Sequence, residues 1–92
     1  LYNIMDKPLR QPFLSKAKNK KYSVYVMKDG KRRLINFGDK RYGQFKDSTS
    51  IGAYKSMDHG DQKRRKSYLA RHGKATDRNS AKWFSHKYLW AA

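Results

Sequence analysis

The stretch Tyr22-Ser23-Val24-Tyr25-Val26-Met27, then Lys28-Asp29-Gly30-Lys31, then Arg32-Arg33-Leu34-Ile35-Asn36-Phe37 decides the fold. Two alternating runs flank Asp-Gly, the dipeptide that most readily adopts the paired positive φ angles of a two-residue hairpin turn. With Asp29 and Gly30 as the loop, Val24 faces Ile35, Tyr22 faces Phe37 and Tyr25 faces Leu34. Side chains alternate along a strand, so Tyr22, Val24, Val26, Ile35 and Phe37 share one face, and that face is the predicted core.

Upstream, residues 1–20 carry both prolines, Pro8 and Pro12, and the run Ser15-Lys16-Ala17-Lys18-Asn19-Lys20-Lys21. Proline removes amide donors and clustered lysines repel, which predicts an extended basic arm over residues 1–20, with Leu9, Phe13 and Leu14 able to dock on the domain or on a neighbour. Downstream, Gly38-Asp39 and Tyr42-Gly43 punctuate the chain, and Asp47-Ser48-Thr49-Ser50 offers N-caps for a short helix through Ile51 to Met57, weakened by Gly52. A firmer helix runs from Asp61 to His72, with an acid in its first turn, Arg71 and His72 in its last, and Gly73 beyond. Residues 74–79 read as a polar loop. Ser80 then caps a final helix from Ala81 to about Trp90, its surface largely aromatic. The predicted architecture is a small α+β single domain over residues 21–92, a β-hairpin, extended by a further strand in one version, packed against two or three short helices. Tyr22, Val24, Ile35, Phe37, Leu69, Trp83 and Trp90 are its expected structural residues.

Composition bounds the rest. Of 92 residues 37% are apolar and 14% aromatic, so the core of a domain this short is thin and built from large rings. Lys and Arg number 23 against seven acids, all Asp, for a formal net charge of +16. That is far more than solubility requires, and it strains the compact state by self-repulsion. Cysteine is absent, excluding a disulfide framework and thiolate metal sites. No apolar run approaches the roughly 20 residues of a membrane span. A start at Leu1 in place of Met suits a processed product or a fragment, and the residues present carry no signal-peptide pattern.

The chemistry-bearing constellation is basic. Lys63-Arg64-Arg65-Lys66 with Arg71 spreads charge around most of one helix, Lys28, Lys31, Arg32 and Arg33 crowd the hairpin tip, and Lys40-Arg41 follow. A charge run is ordinarily a solvated face, but the imbalance over the whole chain favours a polyanionic partner bound through counterion release. Lys63, Arg64, Arg65, Lys66, Arg71, Lys31, Arg32, Arg33, Lys40 and Arg41 are the candidate contacts. No helix-turn-helix or zinc-finger spacing positions Arg64, Arg65 or Asn79 for base readout. Tyr25, Tyr42 and Tyr54 are the rings available for stacking on single strands, a role that competes with burial in the core.

Catalytic patterns are weaker. Asp58-His59, Asn79 and His86 loosely resemble a histidine nuclease order at poor spacing, and His72 fits better as a partner of the helix C-terminus. Tyr22 to Tyr25 before Asn36-Phe37-Gly38 superficially resembles the nuclease class named for its Gly-Ile-Tyr and Tyr-Ile-Gly pair. That resemblance implies a metal-holding glutamate, and this chain has no Glu. No Ser-His-Asp order or phosphate-cradling glycine loop is present. The expectation is a protein with no catalytic residues, cofactor or metal.

Several clusters together, Lys21-Tyr22-Ser23-Val24-Tyr25-Val26, Asn36-Phe37-Gly38-Asp39, Tyr42-Gly43-Gln44, Asp58-His59, Arg64-Arg65-Lys66 through Ala70-Arg71-His72, and Trp83 to Trp90, resemble a family of small, uncharacterised basic proteins of large DNA viruses of algae and amoebae, with distant tailed-phage relatives. The resemblance covers about residues 21–90. It implies a virus-encoded structural protein, inside the capsid or in the host nucleus or cytoplasm during infection. Two roles follow from it: contact with the packaged genome, or a minor capsid component whose arm threads between shell proteins while the basic domain sits on an acidic inner surface. Some members carry cysteines shortly after the Arg-His pair and inside the final aromatic segment, regions that here contain Lys74 and His86; if a metal or disulfide staples those members, the resemblance implies that this chain holds the same junction by packing alone.

Overall fold

The computed structural model describes residues 7–91; residues 1–6 of the expected arm, and Ala92, lie outside the described residues. Strand β1 (Phe13–Leu14), strand β2 (Lys20–Lys28) and strand β3 (Lys31–Asp39) form an antiparallel sheet in the order β1-β2-β3. Helix α1 (Gln62–His72) and helix α2 (Ala81–Leu89) follow, giving the α+β domain read from the sequence. The hairpin register is Tyr22 opposite Phe37, Val24 opposite Ile35 and Tyr25 opposite Leu34. Asp29 and Gly30 adopt φ angles of 53° and 75°, the two positive values a primed turn demands.

One sheet face is the core. Tyr22, Val24, Val26 and Phe37 are buried with Phe84 and Leu89 of α2, and Ile35, Tyr54, Trp83, Tyr88 and Trp90 pack around them. Phe37 stacks on Phe84 at 5.8 Å and on Tyr88 at 6.0 Å. Burying each such side chain contributes about 1.5–3 kcal/mol, so a handful of rings carries a domain with few aliphatic residues. Helix α2 begins where Ser80 accepts the Trp83 N–H, and α1 where the Asp61 carboxylate accepts the Lys63 and Arg64 N–H groups. In α1 the buried residue is Tyr68, and Leu69, expected in the core, is half-buried.

Residues 7–19 run along the outer edge of β2. The Arg10 N–H donates to the Tyr25 carbonyl at 2.7 Å, the Ser15 N–H to the Lys21 carbonyl at 3.2 Å, and Phe13 stacks on Tyr25 at 5.6 Å. The Arg10 guanidinium reaches across to Asn79 Oδ1 and the Arg78 carbonyl, both at 2.8 Å, and lies over Phe84 at 4.8 Å. One side chain thereby ties this segment to the start of α2.

The helix expected over Ile51 to Met57 is instead one 3-10 turn, Lys55–Met57. Gly52 stands at φ 60°, outside the right-handed helical region, and the Tyr54 N–H, which an α-helix would direct to the Ser50 carbonyl, goes to Asp47 Oδ2 at 3.0 Å, while Thr49 Oγ1 and the Tyr22 hydroxyl accept the Gly52 and Ala53 N–H groups. Side chains of this kind compete with helical hydrogen bonding wherever they precede a weak helix.

Candidate polyanion-binding groove

The segment 40–59 crosses beneath the sheet end with little regular structure, and a buried polar network holds it. Lys21, 1% exposed, donates Nζ–H to the Tyr42 carbonyl at 2.8 Å and to Gln44 Oε1. Gln44, fully buried, donates in turn to the Tyr54 carbonyl at 2.7 Å and to Asp58 Oδ1 at 2.6 Å, which also accepts the Asp47 N–H at 2.8 Å. Asp47 accepts from Thr49 and Tyr22. Among the described residues no buried side-chain polar atom lacks a partner, as a network in a low-dielectric interior requires. Burial pushes the Lys21 ammonium below its ordinary range, against the pull of Asp39, Asp47 and Asp58. Burial acts to raise the Asp47 carboxyl, but the hydrogen bonds from Thr49, Tyr22 and the Tyr54 amide outweigh it and hold Asp47 below the usual value.

Anchoring segment 40–59 fixes Tyr42 and Gly43 between two clefts, of about 500 and 590 Å³, that share Tyr42, Gly43, Arg71 and Trp90. One runs towards the end of β3 and α2, past Lys20, Gly38 and Lys82. The other runs along α1, past Lys63, Arg64 and Ser67 to His59. Lys63, Ser67 and Arg71 repeat every four residues, so they lie along one side of the helix. The result is a groove with basic walls on both sides and rings at its floor: Tyr68 lies flat on Trp90, centroids 4.1 Å apart and planes 3° apart. The acids nearby are occupied. Asp39 pairs with Arg41 at 2.8 Å, which holds its carboxyl down to about 2, and Asp61 caps α1.

The sequence candidates separate into distinct places. Arg64 and Arg71 line the groove with Lys63. Arg65 turns inward, donating Nε–H to the Trp90 carbonyl at 2.8 Å and lying over Phe45 at 5.6 Å, so it holds α1 to the domain. Lys66 is exposed on α1 and does not line either cleft. Lys31 and Arg33 are exposed at the far end of the hairpin, and Arg32 donates to the Lys7 carbonyl at 2.8 Å. From Gly30 to Gly38 the strand advances about 26 Å at roughly 3.3 Å per residue, so the tip is a second, separate basic region. Lys40 and Arg41 sit just before Tyr42, Arg41 stacked over its ring at 5.8 Å. Lys20 and Lys82 also line the groove without any mark in the sequence: Lys20 lies within the run assigned to the arm, and nothing local distinguishes Lys82.

Of the candidate stacking rings, Tyr25 is covered by Phe13, Tyr54 meets Tyr22 edge-on at 5.4 Å, and Tyr42 stands 66% exposed. The histidines do not converge. His59 accepts the Asp61 N–H on Nδ1 and packs on Trp90 at 5.3 Å, whereas His86 contacts Tyr68 at 5.1 Å, so the Trp90 and Tyr68 rings lie between them. Among the described residues no cluster of three His or Asp side chains is arranged to hold a metal ion, and no helix is long and apolar enough to cross a membrane. The junction of Gly73 with α2 is bridged by His86 Nε2, which donates to the Gly73 carbonyl at 2.9 Å, and by Lys82 Nζ, which donates to the His72 carbonyl at 3.0 Å. That corrects the expectation of packing alone at this junction. Comparison with known proteins gives no match among family models, curated proteins or solved structures.

Proposed function

We propose that the protein is a non-enzymatic, virion-associated structural protein that binds a polyanionic surface, packaged nucleic acid or the acidic inner face of a capsid, without sequence preference. The observation that carries this reading is uncompensated charge. The chain carries 23 Lys and Arg, and the ion pairs formed between described residues are Arg41 with Asp39 and Arg64 with Asp61, with Lys7 and Arg32 engaged in further interactions. Asp47 is drawn into the interior and Asp58 is committed to the same network, leaving still less negative charge at the surface. Phosphate contacts supply affinity through counterion release and need no base-reading geometry. Two basic regions separated by the length of the hairpin suit an extended partner better than a small anion. The resemblance of residues 21–90 to basic proteins of large DNA viruses supports the virion setting.

The test is a titration with duplex and single-stranded DNA at 50 and 200 mM salt. Binding that weakens at least tenfold over that interval, equally for unrelated sequences, is expected. Absence of binding at low salt removes the genome role. Fractionating disrupted virions then separates the two settings: the protein stays with the nucleoprotein core if it contacts the genome and with the shell if it contacts capsid.

A further inference from the structure

We propose that the groove bounded by Tyr42, Gly43, α1 and the end of β3 is a binding site for single-stranded nucleic acid, with Tyr42 stacking a base while Lys20, Lys63, Arg64 and Arg71 hold the flanking phosphates. This rests on the polyanion-binding reading and narrows it to one form of nucleic acid at one place.

Shape is the first argument. Each arm of the groove has the volume of a small-ligand pocket, which admits a nucleotide or two of a flexible strand but not a base-paired duplex with its bases stacked inside. A duplex touching this surface reaches only the rim.

Chemistry is the second. Strand tracking needs cations along a channel and flat rings at intervals between them. Lys20, Lys63 and Arg71 are exposed and make no ion pair among the described residues, and they lie on both walls. Charge alone favours duplex, whose charge density is the higher, so a preference for the single strand has to come from stacking.

The third argument is the mounting of Tyr42. At 66% it is the most exposed of the large apolar side chains, yet its backbone is anchored at both ends of the residue. Its carbonyl accepts from the buried Lys21 ammonium at 2.8 Å and its N–H donates to the Asp39 carbonyl at 3.2 Å. A ring on a rigid support loses little conformational freedom when a base stacks on it, which is the condition for effective preorganised binding.

The experiment compares the full chain with Tyr42→Ala, Tyr42→Phe and Arg71→Gln. Fluorescence anisotropy follows a labelled twelve-residue single strand, the duplex formed with its complement, and a poly-glutamate of equal charge, at two salt concentrations. The expected result is single strand bound about tenfold tighter than duplex, a loss of about tenfold for single strand in Tyr42→Ala, and retention in Tyr42→Phe. The salt slope stays unchanged in Tyr42→Ala, because the ring carries no charge, and falls by about 0.7 in Arg71→Gln. Duplex bound as tightly as single strand, or Tyr42→Ala without effect, overturns the groove assignment while strong salt-dependent binding leaves the polyanion reading standing. Poly-glutamate matching the single strand overturns it equally. Failure of every polyanion to bind overturns both.

Discussion

The Tyr22 hydroxyl donates to Asp47 Oδ2 at 2.5 Å and accepts the Ala53 N–H at 2.9 Å, joining the innermost core strand to the segment that carries Tyr42. Burial first, then the bond to Asp47, pushes this hydroxyl up to about 12. Tyr22→Phe leaves Asp47 and the Ala53 amide each short of a partner inside the domain, and a loss of about 1–3 kcal/mol in chemical denaturation is expected. The pH dependence follows from the raised folded value: the unfolded hydroxyl ionises near 10, so its contribution is complete below pH 10 and disappears between 10 and 12. Subtracting the Tyr22→Phe profile from wild type isolates that loss, since Lys21 titrates in both proteins.

Arg65 and Arg71 stand on the same helix with opposite roles. Arg65→Gln removes the bond to the Trp90 carbonyl and the cation over Phe45, and a stability loss of about 1–2 kcal/mol is expected, several degrees in melting temperature. Arg71→Gln, on an exposed site, keeps stability within about 0.5 kcal/mol. Differential scanning fluorimetry of the two variants side by side checks the contrast.

Acidification destabilises the free protein. Burial, then Arg64, lowers the His59 imidazole below its ordinary 6.5, and burial, then Arg71, does the same for His72. The unfolded chain therefore binds protons more readily, and stability is present above pH 6.5 and declines as pH falls below it. A bound polyanion reverses the sign at the groove, because phosphate favours the protonated rings. The increase in melting temperature caused by saturating DNA is expected to be larger at pH 5.5 than at pH 7.5, and His59→Gln with His72→Gln to flatten that difference.

Gly38 has φ of 77°, and a methyl group there meets Leu89 Cδ1 at 2.8 Å and Lys21 Cβ at 3.1 Å. Both the backbone and the space select glycine. Gly38→Ala is expected to cost about 1–3 kcal/mol, with Gly30→Ala, where nothing lies within 4 Å, costing less. Urea melts of the two variants decide it.

The hairpin was legible because a single dipeptide sets its register and the alternation of Tyr22, Val24, Ile35 and Phe37 leaves one face to bury. The cap at Ser80 likewise announces its helix, whereas Asp61, placed by the sequence in the first turn of α1, is its N-cap. The network of Lys21, Gln44, Asp47 and Asp58 was not legible, because polar residues spread from 21 to 58 become partners only after the chain has folded back. One of these four, Asp47, also underlies the misread helix at 51–57: it looks like an N-cap and acts instead as the hub of a loop. Arg65 was indistinguishable from Arg64 in sequence; one residue's rotation around the helix sends one to the interior and leaves the other in the groove.

Helix α1 is attached to the rest of the domain by side chains, Tyr68 against Trp90, Ser85 and His86, Arg65 on the Trp90 carbonyl and Lys82 on the His72 carbonyl, while the opposite wall of the groove is the end of a paired strand. The two banks are thus unequal in stiffness. Hydrogen exchange should find α1 amides opening well before those of β2, and a strand entering the channel would meet one fixed bank and one that can yield, letting a single site accommodate bases of different size.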